Sequence, residues 1–156
     1  MNEQKITTYR LEDHARLDRL FEQFLDCKLN DAVEAMQCFT EFRNGLQRHI
    51  AWEEEILFPL FERLSGRTEV GPTSVFRMEH RQIRDLLETI GEKLQTIESD
   101  SSAEEAELAS LLERHTQKEE DFLYPGVDKL LSPEERETVL KQMLEVPEDH
   151  YKEEEK

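Results

Sequence analysis

His49-Ile-Ala-Trp-Glu53-Glu54-Glu55-Ile-Leu57-Phe58-Pro59 aligns without a gap on His115-Thr-Gln-Lys-Glu119-Glu120-Asp121-Phe-Leu123-Tyr124-Pro125, at a constant offset of 66 residues. Upstream, Asp13-His14 falls on Glu79-His80 at the same offset. Each half therefore carries a His, a second His 35 residues later, and a Glu four residues after that. This register places four of the five histidines. Scattered surface histidines would have no reason to keep it, whereas two symmetric halves of one dinuclear metal site require it.

Working outward, the flanking sequence shows the three-four alternation of helices packed along a seam. A first segment, about residues 8–27, aligns Leu11, His14, Leu17, Phe21 and Phe24, and Asn30-Asp31 ends it. A second, about 31–64, aligns Phe39, Phe42, Leu46, His49, Glu53, Ile56 and Leu60 before the breaker-rich run from Ser65 to Thr73. A third, about 73–97, aligns Phe76, His80, Ile83, Leu87, Ile90, Leu94 and Ile97, and Ser99 to Ser102 closes it and can cap the next. A fourth, about 103–125, aligns Leu108, Leu112, His115, Glu119 and Phe122.

Short connections favour antiparallel neighbours, so the expected fold is all-α, an antiparallel four-helix bundle of two duplicated helix pairs. Ser132-Pro133-Glu134-Glu135 reads as the start of a short C-terminal helix, with Ser at the cap and Pro in the first turn. We expect one domain over residues 1–145, followed over 146–156 by an acidic, solvated, flexible tail in which His150 is exposed.

Composition agrees with a single helical domain. The chain has 156 residues, 37% charged and 37% hydrophobic, with 5 Gly and 5 Pro. A net charge of −17 argues against nucleic acid as a partner, because affinity for phosphate backbones comes from clustered Lys and Arg. The start lacks the apolar run of a signal peptide, and nothing approaches the roughly 20 apolar residues of a membrane span. A soluble cytoplasmic protein is expected. Cys27 and Cys38 are too few for a disulfide framework and read as reduced, half-buried small hydrophobes.

His14, His49, Glu53, His80, His115 and Glu119 all occupy seam positions where the pattern demands apolar residues. Burying six such groups is costly unless something cationic collects them. If each metal takes two His nitrogens, and Glu53 and Glu119 both bridge, every metal has four protein donors. Six-coordinate iron or manganese would then keep about two positions, for a bridging oxygen species and an exogenous ligand. The paired carboxylates favour iron, although zinc or manganese fits the same donors.

On these six residues, and on the Glu-Glu and Leu-aromatic-Pro context at 54–59 and 120–125, the chain resembles the hemerythrin family across about residues 8–126. The resemblance is to its HHE cation-binding branch. It implies a four-helix bundle holding two iron ions in an oxo- or hydroxo-bridged, non-haem di-iron centre. His14, His49, His80 and His115 would be the terminal ligands and Glu53 and Glu119 the bridges.

The oxygen-carrying branch has a further His one turn after the third-helix ligand and an Asp as the final bridge, where this chain has Arg84 and Glu119. The pattern looks more like the bacterial branch linked to nitric oxide, oxygen, peroxide or iron handling. It lacks the amino-terminal Cys-x-Cys module of iron–sulfur repair relatives.

The expected function is that of a non-haem di-iron protein that binds or senses a small diatomic or peroxide ligand, or handles iron. A metal-stapled structural or partner-binding bundle, with zinc or mixed metal, is one alternative. A di-iron enzyme acting on peroxide or nitric oxide is another. A ferritin-like oxidase is disfavoured, because Leu11, Leu46, Arg77 and Leu112 stand three residues before the histidines, where that class has Glu. Trp52, Tyr9 and Tyr124 read either as aromatic core filling or as rings that lie near the metal and shield it. Asp18 and Arg84, duplicate-mates one turn beyond His14 and His80, read either as charges at the edge of the seam or as partners of each other or of an anion.

Overall fold

The computed structural model describes residues 5–66, 72–96 and 100–146. Ile97, the acidic tail beyond Val146 and His150 lie outside these residues. Among the described residues every regular element is helical. Four long rods form the bundle. They are α1 (Ile6–Lys28); α2 (Ala32–Ala51) running through a π-helical segment, Trp52–Leu57, into α3 (Phe58–Ser65); α4 (Pro72–Leu94); and α5 (Ser102–Lys118) running through a second π-helical segment, Glu119–Leu123, into α6 (Tyr124–Leu130). The short helix α7 (Pro133–Leu144) closes one end.

Local chemistry accounts for the boundaries. Asp31 caps α2 by accepting from the backbone N–H of Val33 and Glu34, at 2.9 and 3.3 Å. Gly66 ends α3 at φ 73°, a left-handed conformation that glycine adopts without steric cost. At the start of α5 the capping group within the Ser99–Ser102 run is the aspartate. Asp100 accepts from the Ser102 N–H at 3.0 Å, while the Ser101 hydroxyl turns to Glu105.

The α1 N-terminus is capped from across the bundle. Asp128 of α6 accepts from the backbone of Ile6 and Thr7, both at 2.9 Å, which draws α1 two residues further back than the sequence suggested. Ser132 caps α7 in a reciprocal capping box with Glu135. Ser132→Ala should therefore cost about 1 kcal/mol of stability in a denaturant titration.

Neighbouring rods run antiparallel. α1 packs on α2 and on α6, α4 on α5 and α2 on α4. Gly45 lets side chains of α1 lie close against α2, since a Cβ there would meet Leu17 Cδ2 at 2.9 Å. Two apolar clusters fill the interior. One contains Phe24, Phe39, Phe42, Ile83, Leu87 and Leu108, and the other gathers Trp52, Phe58, Phe76, Tyr124 and Val127 under Val139 and Met143 of α7. The six polar seam residues lie between these clusters along every rod. Cys27 and Cys38 are both reduced and half-buried, with their Sγ atoms 3.1 Å apart across the α1–α2 hairpin.

Three positions depart from the sequence reading. Leu11 is 40% exposed, and its neighbour Arg10 is fully buried. Phe122 is 47% exposed, while Leu123 and Tyr124 are fully buried. The fourth rod also continues past Pro125 to Leu130.

One cause underlies the last two. In each π segment the backbone N–H of the aromatic residue bonds back five residues to the carbonyl of the seam Glu, Phe58 to Glu53 and Tyr124 to Glu119. The wider turn adds a residue to the stripe, so the position five residues after Glu119 faces inward in place of the third. Each following proline stands where a missing N–H is tolerated, and the helix resumes beyond it.

Candidate metal centre

Neutral imidazole presents a lone pair on only one ring nitrogen, so a ligating His needs its other nitrogen held. All four seam histidines meet this condition. His14 Nδ1 lies 2.7 Å from Glu120 Oε2 and His80 Nδ1 lies 2.8 Å from Glu54 Oε2. His49 Nδ1 lies 2.6 Å from Asp13 Oδ2 and His115 Nδ1 lies 2.9 Å from Glu79 Oε1. These four carboxylates are themselves two pairs at the 66-residue offset, so the duplication extends to the groups that orient the rings.

Three of the anchoring carboxylates are steadied in turn by a cation. Arg16 bonds Asp13, Lys118 bonds Glu79, and Arg84 bonds Glu54 Oε1 at 2.8 Å. Arg84 is thus a partner of the group that holds His80.

With Nδ1 held outward, the Nε2 atoms turn inward and meet the two glutamates. His14, His49, Glu53 and Glu119 present one donor atom each within 4.8 Å of one another, and Glu53, His80, His115 and Glu119 do the same. The two glutamates belong to both groups. Glu53 offers Oε2 towards His49 at 3.3 Å and Oε1 towards His80 at 2.8 Å. Glu119 offers Oε1 towards His14 at 3.5 Å and Oε2 towards His115 at 3.2 Å.

All six residues are buried. His115 Nε2 and Glu119 Oε2 are buried and face each other at 3.2 Å without a well-aligned hydrogen bond among the described residues, which leaves both atoms for a further group to engage. The structure brings together every residue that the sequence singled out. The donor set, four imidazole nitrogens and two carboxylates shared between two groups, suits a pair of divalent cations of the iron, manganese or zinc class.

Without a cation, protons do the balancing. Burial alone would raise the Glu53 carboxyl, but the neighbouring His49 and Arg10 charges hold it well below the usual carboxylate range. Burial and then Arg10 act to lower His49, yet Glu53, Asp13 and Glu119 carry it up to about 9. Burial works against the charged form of His115 too, and Glu119 with its companions raises it well above the ordinary value. Glu119 is lowered to about 2, because attraction to His115 overcomes burial and repulsion from Glu53. The cluster therefore holds protons where a cation would sit, and a cation must displace them.

Against the donors the symmetry breaks at two duplicate pairs, 10/76 and 58/124. Around the His14–His49 half stand Arg10 and Tyr124, both fully buried. Arg10 Nη2 donates to Glu53 Oε2 at 2.8 Å and to the His49 carbonyl at 3.1 Å, with its guanidinium against the Trp52 and Tyr124 rings. Tyr124 Oη donates to Glu53 Oε2 at 2.5 Å and lies 2.9 Å from Glu119 Oε1. Tyr124 thus follows the second of its two sequence readings, a ring near the site, whereas no sequence pattern marks Arg10. The duplicate-mates around the other half are Phe76 and Phe58. Phe58 stacks on the His80 ring and Phe76 meets His115 edge-on.

On the opposite side the seam opens into a cavity of about 40 Å³. Three of the imidazoles, those of His14, His49 and His115, reach it, and Leu17, Phe21 and Ile83 supply apolar wall, with Asp18 and Thr116 also on its lining. Among the described residues no helix is long and apolar enough to cross a membrane.

Comparison with known proteins agrees with this geometry. Residues 6–127 match the family described as the hemerythrin HHE cation binding domain. An uncharacterized hemerythrin-like protein of Schizosaccharomyces pombe is 26% identical over 131 residues, covering 84% of this chain and 63% of that protein. The iron–sulfur cluster repair protein YtfE of Salmonella schwarzengrund is 34% identical over 58 residues, 37% of this chain and 26% of that protein. The chain thus spans less than two thirds of the length of either relative. No solved structure matches it significantly.

Proposed function

The chain belongs to the hemerythrin HHE cation-binding domain family, and from that premise we propose that it binds two non-haem iron ions and takes up a small diatomic or peroxide ligand at them. His14, His49, His80 and His115 serve as terminal donors, and Glu53 and Glu119 bridge the two half-sites. Shared carboxylates and mixed nitrogen and oxygen donors favour iron over a purely structural zinc. The local similarity to a protein named for iron–sulfur cluster repair supports the same choice.

The cavity beside His14, His49 and His115 carries the ligand-binding part of this reading. At ~10–15 Å³ for one water, its 40 Å³ has room for a diatomic molecule or a peroxide. Its apolar wall would favour weakly hydrated ligands over ions. A centre that only stapled helices together would have no use for such a space. Bound iron would supply exchangeable coordination positions. The chain's own residues orient the imidazoles, exclude bulk water and, through Asp18 and Thr116, add two further polar side chains to an otherwise largely apolar wall.

Reconstitution with ferrous iron under anaerobic conditions should give two ions per chain, one for each donor group. Azide or nitric oxide should then perturb the absorption of the centre. Two bound metals with no response to either ligand would mark a closed structural site, and fewer than two would overturn the dinuclear reading.

A further inference from the structure

The two halves of the centre are built from the same sequence pattern, so each difference between them stands out against a duplicate. Donor for donor they agree, with two imidazole nitrogens and one oxygen from each glutamate. They differ in what lies behind the donors. Behind His80 and His115 are two phenyl rings, Phe58 and Phe76, which carry no donor atom. Behind His14 and His49 the mates of those rings are Tyr124 and Arg10.

Tyr124 Oη is not peripheral to its half-site. It lies 2.5 Å from Glu53 Oε2, 2.9 Å from Glu119 Oε1, 3.2 Å from His14 Nε2 and 3.4 Å from His49 Nε2. Those are the four donor atoms of that half. An oxygen within 3.4 Å of all four lies next to any cation that those four would share. The π segment puts it there, since the tyrosine follows Glu119 by five residues and shares its face. An uninterrupted α-helix would turn Phe122 or Leu123 to the seam instead.

Resting on the iron reading above, we propose that Tyr124 is a fifth protein donor, ligating the cation of the His14–His49 half through its phenolate oxygen, so that the two half-sites are chemically unequal. On ligation the phenol O–H bond breaks, its proton goes to solvent, and the oxygen lone pair that held it is given to the cation; no electron is transferred.

Arg10 supplies the reason for a charged donor on this side alone. Its guanidinium, fully buried and bonded to Glu53, adds one positive charge that the Phe76 half lacks. A cation placed beside it is opposed by that charge, and a phenolate cancels it. Arg10 also approaches the Tyr124 ring at 5.4 Å and so fixes its position. The other half, with four donors and no such cap, would keep one more open position, and its His115 stands on the cavity lining.

The test is spectroscopic. Protein loaded anaerobically with ferrous iron, oxidised with a one-electron oxidant and freed of it by gel filtration should show a visible phenolate-to-ferric charge-transfer band. Excitation into that band should enhance phenolate ring vibrations in the resonance Raman spectrum. Tyr124→Phe, which installs the side chain that the other half already carries at 58, should abolish the band at any iron content, and should weaken iron retention in the His14–His49 half, where the Arg10 charge is then unbalanced. Tyr9→Phe should leave the band intact.

Two irons in the unaltered protein without phenolate vibrations would overturn the Tyr124 assignment and leave the dinuclear reading standing. So would a band that survives in Tyr124→Phe. Fewer than two irons in the unaltered protein would overturn both. Because the first measurement uses the natural chain, poor folding of the variant does not shield the proposal.

Discussion

Glu53→Ala should empty both half-sites and cost the folded chain about 3–5 kcal/mol, the largest double loss available from one side chain. The first effect follows because Glu53 belongs to both donor groups, so its removal takes an oxygen from each cation position. The second follows because Arg10 and Glu53 form an ion pair whose side chains are both fully buried. Deleting the carboxylate leaves a guanidinium in the interior with its main counter-charge gone. Metal analysis after reconstitution reads one effect, and denaturant unfolding of the cation-free protein reads the other. His150→Ala is the control, since that residue has no part in the duplicated His and Glu pattern. A Glu53→Ala protein that kept its metal would overturn the ligand assignment, and one that kept its stability would show that Arg10 finds another partner.

The cation-free and loaded proteins should diverge as pH rises from about 6.5 to about 9. His49 is raised from 6.5 to about 9, so the stability it contributes is full below 6.5 and is lost as pH climbs through 9. His80 and His115 are displaced in the same direction. Glu119 is lowered from 4.5 to about 2, so its contribution is present above 4.5 and is lost as pH falls through 2. The cation-free bundle is therefore most stable between these windows and weakens on the alkaline side.

Loading reverses the alkaline trend, because ligation needs the unprotonated imidazoles that high pH supplies. A cation at about a thousand times its dissociation constant adds about 4 kcal/mol. At roughly 2–4 °C per kcal/mol for a chain of this size, the melting temperature rises by about 8–16 °C for each cation bound. That gap should widen from pH 6.5 to 9 and close on acidification. Parallel melting curves with and without metal across this range would place the cation outside the cluster.

The bundle, the C-terminal helix and the six inward residues were legible because each rests on a repeating pattern. An apolar stripe at helical spacing identifies a buried face, and an interruption by His or Glu in both halves at one offset identifies a shared polar site. Arg10 escaped because nothing local separates a buried arginine from an exposed one. Its burial depends on Glu53, 43 residues away, and on two aromatic rings. Tyr124 and Phe122 exchanged places because the stripe was followed at α-helical spacing through a π turn. The repeated Glu-Glu context ending in aromatic-Pro marks that turn in both halves, since the proline removes an N–H just beyond it. The four carboxylates that hold the rings were visible as repeats. Their role required knowing which helix each faces, as Glu120 serves His14 across 106 residues.

The anchored imidazoles bear on kinetics as much as on geometry. A histidine free at Nδ1 can swing its ring outward and carry a cation to solvent by a rotation of nanoseconds. Here every ring is pinned by a carboxylate on another helix, so no single side chain can begin that exit. A bound ion would leave only when neighbouring rods part and several of these bonds break together. Its residence time would then follow local opening of the helix bundle, a property of the whole packing, and mutations far from the donors that loosen the α1–α6 contact would shorten it.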